Sequence, residues 1–86
     1  MSFLPIGSIV LLKGATKQLM IVGYMANDVN NEEKDYMAVP YPEGILSEES
    51  VISFNNGDIE TTLYKGFENE IFEKFISKLN NNIENK

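Results

Sequence analysis

Two apolar runs close together, Leu4-Pro5-Ile6-Gly7-Ser8-Ile9-Val10-Leu11-Leu12-Lys13-Gly14 and Leu19-Met20-Ile21-Val22-Gly23-Tyr24-Met25, constrain this chain more than any other feature. A strand solvated on one side alternates apolar with polar residues, whereas an unbroken apolar run calls for cover on both faces. The chain has only 86 residues in which to find that cover. A domain of this size only just offsets its folding entropy with its own core. The sheet therefore either curls into a small SH3-like or split barrel or leaves one face for a partner.

The segment 9–13 predicts a first strand, and residues 14–17 its turn, with Gly14 supplying a positive φ. Residues 18–25 predict a second strand, with Leu19, Ile21 and Met25 on one side and Met20, Val22 and Tyr24 on the other. Gly23 interrupts the first of these faces, as a glycine at a bulge or a close backbone approach does. Residues 26–33 are polar and turn-rich, which predicts a solvated loop. A third strand follows at 35–40 and ends at Pro40, which cannot donate to a ladder. Tyr41-Pro42-Glu43-Gly44 carries proline second and glycine fourth, the pattern of a turn. Residues 51–54 and 59–64 either pair as a hairpin across Asn56-Gly57 or flank a single helical turn at 55–58.

Gly66 closes a sheet region spanning 4–65. A helix is predicted over 69–81, capped by Glu68 or Asn69, with Ile71, Phe72, Phe75, Ile76 and Leu79 forming one apolar stripe. Glu70 and Lys74 stand one turn apart in the favourable order. Asn80-Asn81-Asn82 predicts the helix end, and 82–86 a frayed tail. The whole, residues 1–86, is one α+β domain: a small, strongly curved antiparallel sheet closed by a C-terminal amphipathic helix. That single helix covers one apolar sheet face well.

Histidine and cysteine are both absent. This removes the commonest general base, the thiolate nucleophile and the commonest metal ligands. Glu32, Glu33 and Asp35, or Glu48 and Glu49, lack the spacing of a calcium loop and predict solvated acidic loops. Gly7 and Gly14 are turn glycines without the GxGxxG pattern. No catalytic residue, metal or cofactor is predicted. The formal charge of −6 and the lack of arginine, all seven cations being lysine, argue against nucleic acid and anionic membranes. No segment approaches the roughly 20 apolar residues of a membrane-spanning helix, and no signal peptide is evident. A reducing cytoplasm fits the lack of cysteine. Tyr36, Tyr41 and Tyr64 are candidates for an aromatic peptide-binding surface or for core packing.

The ordered blocks Leu4 to Gly14, Lys17-Gln18-Leu19-Met20-Ile21-Val22-Gly23, Asp35-Tyr36 with Val39-Pro40-Tyr41-Pro42-Glu43-Gly44, and Phe54-Asn55, Asp58-Ile59 and Tyr64-Lys65-Gly66-Phe67 resemble the family called domain of unknown function 4176. The likeness runs from Leu4 to Leu79. It implies a small protein of Gram-positive bacteria encoded near type VIIb secretion genes and the LXG-domain toxins they export. The implied role is that of a cytoplasmic chaperone-like adaptor for such a toxin or for a secretion component, with no catalytic residues. It also marks Tyr41, Pro42 and Glu43 as candidate contacts beside Met20, Val22 and Tyr24 of the uncovered face. The alternatives are an immunity or regulatory module that binds a toxin, and a self-associating homodimer.

Overall fold

A computed structural model describes residues 2–84 of the chain. The apolar runs form β1 (Ile9–Leu12) and β2 (Leu19–Asn27), followed by β3 (Glu33–Pro40), β4 (Ile52–Phe54), β5 (Ile59–Tyr64) and the helix α1 (Glu70–Glu84). All pairings are antiparallel, in the order β4-β3-β2-β1-β5. The fold is thus α+β, as the periodicities predict. Short turns pair β1, β2 and β3 in sequence order, while β5 returns to the far side of β1. β4 and β5 form opposite edges, so the sheet is open, neither closed into an SH3-like or split barrel nor strongly curved as expected.

One face carries the core. Val10 of β1, Leu19 and Ile21 of β2, Tyr36 and Ala38 of β3 and Phe54 of β4 cluster there with Phe3, and Ile76, Leu79 and Ile83 of α1 pack against them. The alternation of strand side chains explains this choice, since Val10, Leu19, Ile21 and Ala38 sit at alternate positions of their strands. The N-terminal segment crosses the core at Leu4. Its N–H donates to the Tyr36 hydroxyl at 2.9 Å, and its carbonyl accepts from the Tyr24 hydroxyl at 2.5 Å. The Phe3 ring fits edge-on between the two tyrosines. Two side chains thereby satisfy a backbone that has no strand neighbour, as a buried peptide group requires.

The register explains where the strand pattern fails. Ile21 pairs with Ala38 but Gly23 with Met37, so Val22 is an extra residue and a bulge breaks the alternation. Tyr24 is consequently opposite Tyr36 on the core side, not on one face with Met20 as expected. Gly23 fits here because a β-carbon would come within 2.9 Å of the Met37 side chain.

Of the two expectations for residues 51–64, the helical turn is correct. Asn56–Asp58 form one turn of 3-10 helix, while β4 pairs with β3 and β5 with β1. The turn wins over the Asn-Gly hairpin because its backbone groups find nearby partners. The Asp58 carboxylate accepts from the Asn55 N–H, and that of Asp35 from the Asn56 N–H. The polar loop after β2 is also shorter than expected, because the ladder continues through Asn27 opposite Glu33.

At the start of α1, the Asn69 side chain accepts from the Phe72 N–H at 3.1 Å, the expected cap. The helix does not stop at the asparagines. It continues through Glu84, which corrects the expected boundary at 81 and the frayed tail at 82–84; residues 85 and 86 lie outside the described residues. Ile83 packing on the core outweighs the weak helix preference of three asparagines.

Candidate functional site

An open sheet offers a partner either its edges or its uncovered face. The edges are poorly suited to strand addition. β4 has three residues. β5 pairs Ile9 with Tyr64 and Val10 with Thr62, then Leu11 with Thr61 and Leu12 with Ile59, so Leu63 and Glu60 are both extra residues. Two bulges in one edge strand disrupt the regular hydrogen-bonding row that an incoming strand needs. Recognition by side chains on a face is the alternative.

The face away from the core is apolar and open. Ile9, Met20, Tyr41, Leu63 and Tyr64, with the Gln18 amide, line a groove of about 590 Å³. Leu63 and Tyr64 are 46% and 61% exposed, and Tyr41 is also exposed. The β5 bulge at Leu63 and the chain reversal after Pro40 together bring these side chains around Ile9 and Met20. Beside Tyr41, the Lys17 ammonium contacts both Glu43 carboxylate oxygens at 2.6 Å, joining the β1–β2 turn to the loop after β3. That contact holds the Glu43 carboxyl below the usual carboxylate range.

A second apolar trough, about 620 Å³, runs between α1 and β2 and is lined by Ile6, Val22, Phe67, Ile71 and Phe75 together with Tyr24. Phe67 and Ile71 are 78% and 77% exposed. Phe72 and Leu79, which also line the trough, and Ile76, further round the helix, are only partly exposed. The helical stripe is therefore wider than the core it covers, and its outer margin belongs to the trough.

The six residues singled out from sequence are not one patch. Met20 and Tyr41 share the first groove; Val22 and Tyr24 line the second. Tyr24 is at the same time a core residue, and burial, then the neighbouring Tyr36, pushes its hydroxyl up to about 12. Pro42 is exposed on the loop, and Glu43 is the salt-bridge partner of Lys17. Of the tyrosine trio, Tyr41 and Tyr64 meet in the first groove whereas Tyr36 is fully buried. Leu63, Ile6 and Phe67 escaped attention in the sequence. The order Tyr64-Lys65-Gly66-Phe67 held a signal for Phe67, a large apolar residue outside both the strand and the helical stripe.

The acidic residues serve local structure. Asp28 accepts from the Asn30 and Glu32 backbone N–H groups, and Asp35 from that of Asn56. Among the described residues no group of three or more acidic side chains converges as a metal site, and no helix is long and apolar enough to cross a membrane.

A family model described as "Domain of unknown function (DUF4176)" matches residues 3–75, which takes in all five strands, the groove around Met20, the trough apart from Leu79, and the start of α1. Neither the curated proteins nor the solved structures contain a match to the chain.

Proposed function

The chain belongs to the domain of unknown function 4176 family, and from that premise we propose that it is a non-enzymatic accessory protein that holds a protein partner on its outer sheet face. The observation that carries this reading is the groove around Met20, where Tyr41, Leu63 and Tyr64 stand exposed on the face that α1 does not cover. Aromatic and aliphatic side chains gathered on a concave, solvent-facing patch are the usual anchors of a protein interface. In the form suggested by the family resemblance, the partner is an LXG-type toxin or a component of the type VIIb secretion machinery. The chain then acts in the cytoplasm as a chaperone-like adaptor before export.

The test is affinity capture of tagged wild-type protein from the bacterium that makes it, in parallel with Met20→Asp and Leu63→Asp variants. Partners retained by the wild type in near-equal amounts, identified by mass spectrometry and lost from both folded variants, support the reading. A partner retained equally by all three proteins removes this groove as the docking site.

A further inference from the structure

The turn between β4 and β5 holds the one glycine that the fold does not require. Gly7, Gly14 and Gly44 adopt positive φ, and a β-carbon at Gly23 or Gly66 would strike a neighbour, whereas at Gly57 it would meet nothing within 4 Å and the backbone is not left-handed. Gly57 also follows Asn56, the only asparagine in the chain that precedes a glycine. That pair has a chemistry of its own. With no side chain to hinder it, a glycine nitrogen can attack the carboxamide carbon of the asparagine before it. Both residues are exposed to water, and the Gly57 N–H donates to no group of the described residues.

We propose that Asn56 is a site of spontaneous modification, deamidated by the Gly57 nitrogen through an opened form of the turn. The nitrogen loses its proton to solvent and bonds to Asn56 Cγ; the carboxamide C–N bond breaks, and its nitrogen takes up a proton and leaves as ammonia. Water then opens the resulting succinimide at either carbonyl, giving aspartate or, with the main chain rerouted through Cγ, isoaspartate. In the closed turn the ring cannot form. The Tyr36 hydroxyl donates to Asn56 Oδ1 at 3.1 Å, the Asn56 N–H donates to the Asp35 carboxylate at 2.8 Å, and the Asn56 carbonyl accepts from the Ile59 N–H. These bonds hold side chain and backbone in a helical turn, whereas ring closure needs the rotation about Asn56 ψ that carries the Gly57 nitrogen over Cγ. Isoaspartate then keeps the turn from closing again. Its extra main-chain carbon lengthens the connection, and the acceptor leaves the hydroxyl of the buried Tyr36. Neither Asn56 nor Gly57 lines the outer groove, so the inference goes beyond the docking role proposed above and does not depend on it.

The full chain is incubated in mildly alkaline buffer, and its peptides are followed by mass spectrometry and by labelling with an isoaspartyl methyltransferase. Asn56 is expected to convert to aspartate and isoaspartate ahead of every other asparagine, and faster as urea is raised towards the unfolding midpoint. Asp35→Ala and Tyr36→Phe each remove one bond that keeps the turn closed and should speed the conversion about fivefold. Tyr36→Phe also withdraws the acceptor of the Leu4 N–H, so Asp35→Ala, whose bond lies at the exposed side of the turn, decides the matter where the tyrosine variant fails to fold. Gly57→Ala should keep the wild-type circular dichroism and all but stop the conversion. Conversion at Asn56 no faster than at the other asparagines, or undiminished in Gly57→Ala, overturns the site. A rate that neither urea nor Asp35→Ala changes overturns the opened turn as its route.

Discussion

The Gly66 N–H donates to the buried Ser8 hydroxyl at 2.9 Å, fastening the end of the sheet region to the chain just before β1. A β-carbon at Gly66 would collide with the Ile6 carbonyl oxygen and press on the Ser8 nitrogen at 3.0 Å. Both obstacles are backbone and cannot swing aside. Gly66→Ala should therefore destabilise the fold by about 2 kcal/mol or more, and Ser8→Ala, which orphans a buried N–H, by about 1–3 kcal/mol. Urea unfolding followed by circular dichroism measures both. Loss of under half a kcal/mol in Gly66→Ala would show that the crossing is looser than this geometry.

Gly23 is the instructive contrast. Its added β-carbon would meet the terminal methyl of Met37 at 2.9 Å, the free end of a flexible side chain. Gly23→Ala should cost less than about 1 kcal/mol, because Met37 can change rotamer. Replacing Met37 with leucine in the same background removes that freedom and should raise the penalty. Equal unfolding midpoints with either residue at position 37 would rule out the methionine as the relief.

The tyrosine pair over Leu4 predicts a response to alkali. The Tyr24 hydroxyl is pushed up to about 12 by burial and by Tyr36, and burial also raises Tyr36. An unfolded tyrosine ionises near 10. Between about 10 and 12 the folded chain thus holds a proton that the unfolded chain has released, and stability must fall as pH rises through that window. Below it, Tyr24 contributes no pH dependence. Tyr24→Phe should flatten the fall in unfolding midpoint measured across the same range, at the cost of the hydrogen bond to Leu4. An unchanged slope would assign the alkaline loss to other groups.

The Lys17–Glu43 contact titrates in the opposite sense. Because the Lys17 ammonium lowers the Glu43 carboxyl, its contribution is present above the ordinary carboxylate range and lost as pH falls through the lowered folded value. Both side chains are well exposed, so the effect on global stability is small and screened by salt. Its measurable consequence is local. Glu43→Gln should increase amide exchange at Tyr41, whose N–H donates to the Gln18 carbonyl, without shifting the unfolding midpoint. Unchanged exchange at Tyr41 would mean that the loop is held without the bridge.

Much of this architecture is legible in the sequence because it follows from local pattern. The unbroken apolar runs mark β1 and β2, Pro40 marks the end of β3, and Asn69 caps α1. The same runs also predict more apolar surface than one helix covers, and the open faces carry it. What escapes is set by partners distant in sequence. Gly23 signals a bulge, yet only the pairing with β3 reveals that Tyr24 turns to the core as a result. The Asn56-Gly57 signal for a hairpin is overridden by Asp35, 21 residues away, whose carboxylate takes the Asn56 N–H. The docking residues divide between two grooves for a similar reason: Met20 and Val22 are neighbours in one strand, but β5 flanks the first and α1 the second.

The C-terminal turn of α1 offers the sharpest test of this distinction between local preference and packing. Asn80, Asn81 and Asn82 favour ending the helix, and a frayed tail after them would be dispensable. Ile83, however, packs against the cluster that contains Phe3, Val10 and Tyr36. Partial burial of one isoleucine is worth roughly 1–2 kcal/mol. Ile83→Ala should accordingly lower stability by about 1 kcal/mol, and a chain ending at Asn81 should lose at least as much together with helical signal in circular dichroism. Wild-type stability in both variants would return the last turn to the role of a solvated tail and leave α1 anchored by its earlier residues, Phe75 on Tyr24 and Ile76 and Leu79 on the core.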